Sequence, residues 1–203
     1  EILPSEDKIK AEILYNKYDV FKNLFLYYFL AGLVFFLFII FQIFTTSNKI
    51  NRVFKYLFKG FRSIIFVLFI VHTFGLIARG YISGHAPWSD AYESMIYVAW
   101  ATMGIGLLFA RKSDLTLAST SFVTSMILMI AHWNWMDPSI ANLVPVLDSY
   151  WLMIHVSVIV GSYGPFTLAM ILGIVALILM ILATKSNSSI IKNKLAEITI
   201  INE

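Results

Sequence analysis

One run, LFLYYFLAGLVFFLFIIFQIF at 24–44, contains no charged residue and constrains the whole chain. A hydrocarbon core about 30 Å thick is crossed by about 20 apolar residues in a helix. In lipid, a lone segment of that length must satisfy every backbone N–H and C=O internally, which a helix does. Four more stretches are comparably apolar, at 63–82, 91–110, 115–133 and 150–183, with Arg79 and Glu93 their only charged residues. The last is longer than one crossing needs, so it is expected to tilt or project from the bilayer. Composition agrees: 59% of the 203 residues are hydrophobic and 13% charged. Soluble domains average about 45–50% and about 25%. The expected fold is all-α, a polytopic bundle of about five transmembrane helices.

The basic residues assign sides. Segment 45–62 carries Lys49, Arg52, Lys55, Lys59 and Arg62 with no acid, Arg111–Lys112 follows the third span, and 184–203 holds Lys185, Lys192 and Lys194. The intervening loops, 81–90 and 134–149, contain neither lysine nor arginine. Short basic loops stay on the cytoplasmic side, which puts the N-terminus outside and the C-terminus inside. Residues 1–23 read as an outer amphipathic connector with Ile9, Ile13, Leu14 and Tyr18 at helical spacing. Residues 24–183 form the bundle, and 184–203 read as a polar cytoplasmic tail leading to a further C-terminal part. With a formal net charge of only +3, spread over loops, the expected partner is the bilayer and not nucleic acid.

Several chemistries drop out. There is no cysteine, so disulfides, zinc–thiolate sites and a cysteine nucleophile are excluded within this chain. No H-E-x-x-H pair, phosphate-binding G-x-x-x-x-G-K-[ST] loop or G-x-S-x-G elbow occurs. Four histidines remain. His155 sits one turn inside the last span, below Tyr150 and Trp151, which are placed as headgroup-level aromatics. An imidazole there is costly unless it faces protein, water or a ligand, so it is either bonded to a neighbouring helix or an iron ligand. His85 lies in an outer loop near Trp88, as an exposed loop residue or as part of a site wall. His132 stands beside Trp133 and Trp135, where belt anchoring accounts for it. His72 falls mid-span, with Arg79 seven residues on and on the same face. Those two form either a transit site, with Arg79 holding an anionic group such as a propionate, or a neutral imidazole bonded to a serine or threonine of the fourth span. Asp90 and Glu93 open the third span, where an N-cap and a favourable helix dipole explain them.

The loop YISGHAPWSDAYESM, with Ser83, Gly84, His85, Pro87, Ser89, Asp90, Tyr92, Glu93 and Ser94, resembles one family. It is similar to the loop SGH-x-P-x-S-(N/D)-x-YES of the heme-handling membrane subunit of system II cytochrome c biogenesis, the CcsA/ResC type. LVPVLDSYWLMIHVSVIVGSYG at 143–164 is similar to that family's LVPAL-x-S-x-WL-x-x-HV-S helix. The resemblance covers roughly 63–183. It implies a cytochrome c synthase (heme lyase), acting as part of a larger polypeptide or complex in the bacterial inner membrane with its active site facing the periplasm. It implies that His155 is an axial ligand of heme b iron; His85, Trp88 and Trp151 are candidates for the wall of such a site, the His85–Trp88 loop as a lid or a static wall. It places a tryptophan-rich loop and the second ligand beyond Glu203. The implied partners are an apocytochrome c bearing C-x-x-C-H and a CcsB/ResB-type subunit or fused domain. Two other functions remain open: a heme exporter or respiratory subunit without ligase activity, and a non-catalytic membrane anchor.

Overall fold

The computed structural model describes residues 5–44, 48–110, 113–133, 137–140, 149–181, 183 and 188–202. They form α1 (Glu6–Tyr18), α2 (Val20–Phe44), α3 (Asn48–Ser83), α4 (Ala91–Phe109), α5 (Asp114–His132), α6 (Tyr150–Ile181) and α7 (Ser188–Asn202). No strand occurs among the described residues. Five helical stretches are long and apolar enough to cross a membrane: Glu6–Gln42, Arg52–Ser83, Ala91–Phe109, Asp114–His132 and Ile154–Ile181. The all-helical bundle of about five spans is therefore what the chain forms.

The bundle is built around α5. Thirteen of its residues are buried, six of them serine or threonine. Three of the six hydroxyls bond within the helix: Thr120 donates to the Thr116 carbonyl at 2.7 Å, Ser121 to that of Leu117 at 3.1 Å and Ser125 to that of Phe122 at 2.6 Å. Small side chains that spend their polarity locally let neighbouring helices approach closely. α2 and α4 flank α5, α3 lies against α2, α6 against α4, and α7 against α6. On α4 a Cβ at Gly106 would overlap the Thr120 side chain, and on α6 one at Gly164 would overlap Thr102. Both glycines mark backbone approaches closer than any side chain permits.

Two segments differ from their sequence readings. The basic stretch 45–62 is helical from Asn48, because Phe54, Phe58, Phe61 and Ile65 recur on one face. Phe61 stacks on Phe35 of α2 at 5.2 Å between ring centroids, and Phe58 meets the same ring edge-on at 5.2 Å. At 1.5 Å per residue, the 36 residues of α3 run about 54 Å, well beyond a hydrocarbon core. The tail 184–203 is also more than polar chain. α7 buries Ile191 and Ile198, seven residues apart and so on one helical face. At the other end of the sequence, α1 and α2 are joined through Asp19 in the left-handed region (φ 39°, ψ 60°), a conformation Asp tolerates better than most residues.

Candidate functional site

The loop between α3 and α4 is organised on Glu93. Its side chain is 1% exposed and accepts from Arg79 Nε at 2.9 Å through one oxygen and from the Ser89 amide at 3.0 Å through the other. Asp90 caps α4, accepting from the Glu93 amide at 2.6 Å, so the two acids form a variant of the reciprocal N-terminal box. Gly84 takes φ +76°, a backbone conformation glycine adopts without strain, as the chain leaves α3. Ser89 Oγ donates to the Ala86 carbonyl at 2.8 Å, and Ser94 Oγ to that of Trp88 at 3.3 Å. Nearly every polar residue of the SGHAPWSDAYES stretch is thus spent on holding this turn.

Arg79 is buried, with 1% of its side chain exposed. Besides Glu93, its terminal nitrogens donate to the carbonyls of Pro138 (2.9 Å) and Ser139 (3.1 Å). One of them lies 3.6 Å from Asp90, and the guanidinium carbon is 4.8 Å from the centre of the Tyr92 ring. Bidentate and stacked contacts of this kind need the planar fork of arginine. The fork expected to hold an anionic ligand is engaged by the protein itself. Nearby, the Ser139 amide donates to Asp137 at 2.9 Å. That bond, with help from the Ser139 hydroxyl, holds the exposed Asp137 carboxyl below its ordinary range.

His72 projects into the bundle on the same side of α3 as Arg79, as the seven-residue spacing implies, and is fully buried. Its Nε2 lies 3.1 Å from the Ile96 carbonyl of α4. The expected bond to a serine or threonine of the fourth span is corrected accordingly. α4 packs against α3 more extensively than α5 does and offers the Ile96 carbonyl to the ring. Phe21 and Tyr28 of α2 cover the ring at 5.4 and 6.0 Å between centroids.

His85 is half-buried. Nδ1 lies 3.1 Å from the Ala86 carbonyl and 3.7 Å from Glu93, an ion pair only when the ring is protonated. Its Nε2 and the indole N–H of Trp88 are shut off from solvent, with no partner among the described residues. Trp88 begins an aromatic series: Tyr97 follows at 5.1 Å, Trp100 at 5.9 Å and Phe69 of α3 at 5.7 Å. Trp100 Nε1 donates to Thr73 Oγ1 at 2.8 Å and fixes the lower end.

His155 behaves differently. It is exposed on α6, one turn after Trp151, which is 77% exposed. Gly161 lies against Tyr97 and Ala101, and Gly164 against Thr102, so α6 runs parallel to α4 with an offset of 60–64 residues. That register sets His155 about level with residues 91–95, at the bundle end that holds Glu93 and the Trp88 loop. Val158, on the same outward side, is 65% exposed, so the imidazole interrupts an apolar surface. His132 and Trp133 are exposed at the end of α5. Trp135 lies outside the described residues. Among the described residues, no three histidines or carboxylates gather as a metal cluster. Heme, as cargo, would be offered one imidazole by this face.

Arg79 is the residue whose role the sequence reading missed. The signal was there: between Val20 and Ser113 the chain has only two carboxylates, Asp90 and Glu93, so a buried arginine in that interval had little choice of counterion.

Such a fold defines a multi-pass helical membrane protein with an ion-paired loop at one end and the exposed imidazole of His155 about level with it. Residues 88–203 match the family model described as "Cytochrome C assembly protein". The chain is 42% identical over 182 residues to Protein NrfI of Wolinella succinogenes, covering 90% of this chain and 20% of that protein. It is 35% identical over 107 residues to the cytochrome c biogenesis protein CcsA of Prochlorococcus marinus, covering 51% of this chain and 34% of that one. With CcsA of Lotus japonicus it shares 31% identity over 126 residues, 56% of this chain and 36% of that protein. The chain belongs to the cytochrome c assembly family and is of the CcsA type. It spans about a fifth to two-fifths of the length of the curated relatives it matches.

Proposed function

We propose that this chain is the heme-presenting part of a cytochrome c synthase in a bacterial inner membrane, working at the periplasmic face. The observation that carries the reading is the exposed imidazole of His155 on an apolar side of a membrane-length helix. An imidazole there asks for a ligand or a covering partner, and histidine is the usual axial ligand of heme iron. His155 binds the iron of heme b, and the second ligand comes from elsewhere in the assembled protein. Trp151 flanks the iron-binding face. Trp88 and His85 lie about level with it and hold an unspent indole N–H and an unspent ring nitrogen for the cargo or for a closing segment.

The reaction adds each thiol of an apocytochrome C-x-x-C-H motif across a heme vinyl group. The S–H bond and the vinyl double bond are replaced by a thioether and a C–H bond. This chain's contribution is to hold and orient the cargo, and the bond-making is that of heme and thiol. A CcsB/ResB-type subunit or fused domain completes the machine.

Two experiments test this. The first coexpresses the intact polypeptide with a C-x-x-C-H substrate and follows covalent heme on that substrate by heme staining. Bound heme without covalent product would point to an exporter, and a colourless protein from heme-replete cells to an anchor. The second concerns the sides. The chain has no cysteine, so single replacements report cleanly. On intact spheroplasts an impermeant maleimide should label Asp137→Cys and leave Ser189→Cys unmodified until the membrane is opened. The reverse pattern would invert the proposed orientation.

A further inference from the structure

The end of the bundle away from Glu93 holds a cavity of roughly 540 Å³ lined by Ile39, Gln42, Lys55, Lys59, Arg62 and Lys194, with Phe58 at its floor and Asp114 at its edge. Four of its lining residues are cationic and one is acidic. Arg62 is paired with Asp114 at 2.7 Å, and Lys194 with Glu197 at 3.0 Å. Lys55 and Lys59 have no carboxylate within ion-pair distance among the described residues, although they sit one turn apart and aim like charge at the same space. Such an arrangement costs free energy unless an anion shares it.

We infer that this cavity binds the headgroup of an anionic phospholipid. Three features favour that ligand. The cations converge from α3 and α7 over an apolar floor, Ile39 and Phe58, which suits a phosphodiester with its glycerol more than a free anion. The cavity lies where α2 ends and α3 begins its membrane-length apolar stretch, so a lipid reaches it without leaving its leaflet. Basic pockets between membrane helices are the usual seats of anionic headgroups. The lipid would join α7 to α3 and bring the C-terminal helix under the control of membrane composition.

The test titrates the intact polypeptide, in neutral detergent at fixed salt, with dioctanoyl phosphatidylglycerol, and follows tryptophan fluorescence or thermophoresis. Dioctanoyl phosphatidylcholine is the zwitterionic control. The wild-type protein should bind the glycerol lipid more tightly. Lys55→Gln and Lys59→Gln should each weaken it about 5-fold, and the double variant about 25-fold, with phosphatidylcholine binding unchanged. Lys55→Arg with Lys59→Arg should keep the affinity, and Lys10→Gln at the far end should not alter it. An unchanged lipid-free melting temperature shows that the double variant is folded. Equal binding of the two lipids, or an unaffected double variant, overturns the inference. Full displacement by millimolar inorganic phosphate would make the cavity a plain anion site and would also overturn it. Displacement by hemin would reassign it to heme carboxylates. None of these outcomes depends on His155, so the proposed synthase function stands or falls separately.

Discussion

Replacing His155 by glycine in the intact protein is expected to strip most of its heme, and millimolar imidazole to restore it. The side chain is exposed, with no hydrogen bond from its ring among the described residues, so its removal leaves the bundle packed as before. The fold should melt at an unchanged temperature while the Soret band falls. Even a change one layer away from a bound metal costs about 10–100-fold in affinity, and loss of a direct ligand should cost at least that. Reduced and oxidised absorption spectra of purified wild type and variant, with and without imidazole, make the comparison. Full heme occupancy in the variant would end the case for His155 as ligand. The buried histidine provides a contrast. His72→Gln should lower stability, because the Ile96 carbonyl and the Phe21–Tyr28 pocket are built around that ring.

The second large effect concerns the ion pair. Arg79 and Glu93 are each 1% exposed, so solvent screens them little. Glu93→Gln removes the nearer counterion of a buried guanidinium and leaves Asp90 at 3.6 Å, so about 3 kcal/mol of stability should be lost, the low end for broken buried pairs. Arg79→Met strands the carboxylate and also frees the Pro138 and Ser139 carbonyls, so its loss should be at least as large. Combining Arg79→Met with Glu93→Leu should recover part of the loss, because an apolar replacement of both partners is often close to neutral. Thermal melts of wild type, Arg79→Met, Glu93→Leu and the double variant, followed by near-ultraviolet circular dichroism, form a double-mutant cycle. Strictly additive losses would show that the two side chains are not coupled.

What could be read from the chain alone was set by the bilayer. Runs such as 24–44 leave a helix as the only outcome, and loops with and without lysine and arginine mark their ends. Periodicity at the ends was harder to see. Lys49 to Arg62 suggested a loop because charge stood out, yet Phe54, Phe58 and Phe61 already carried the spacing that makes it helix. Ile191, Leu195 and Ile198 did the same inside a tail that looked polar. The helix facing His72 could not be deduced, since it depends on how α3, α4 and α5 pack. Nor could the exposure of His155, which depends on which faces of α6 pack against α4, α5 and α7. The motif loop gives the opposite lesson. Its pattern was recognisable, but the work of its residues, one carboxylate gathering an arginine and a backbone amide, appears only in three dimensions.

The guanidinium of Arg79 binds two stretches of chain far apart in sequence, 89–93 and 138–139, to the last turns of α3. Neither stretch can loosen without surrendering bonds to the other's anchor. The two therefore form one cooperative unit, which opens and closes together instead of fraying loop by loop. Segment 138–139 lies 11 residues before α6, the helix that displays His155. In the heme-presenting role proposed above, such a common mooring would serve the cargo by making what moves there move as a body.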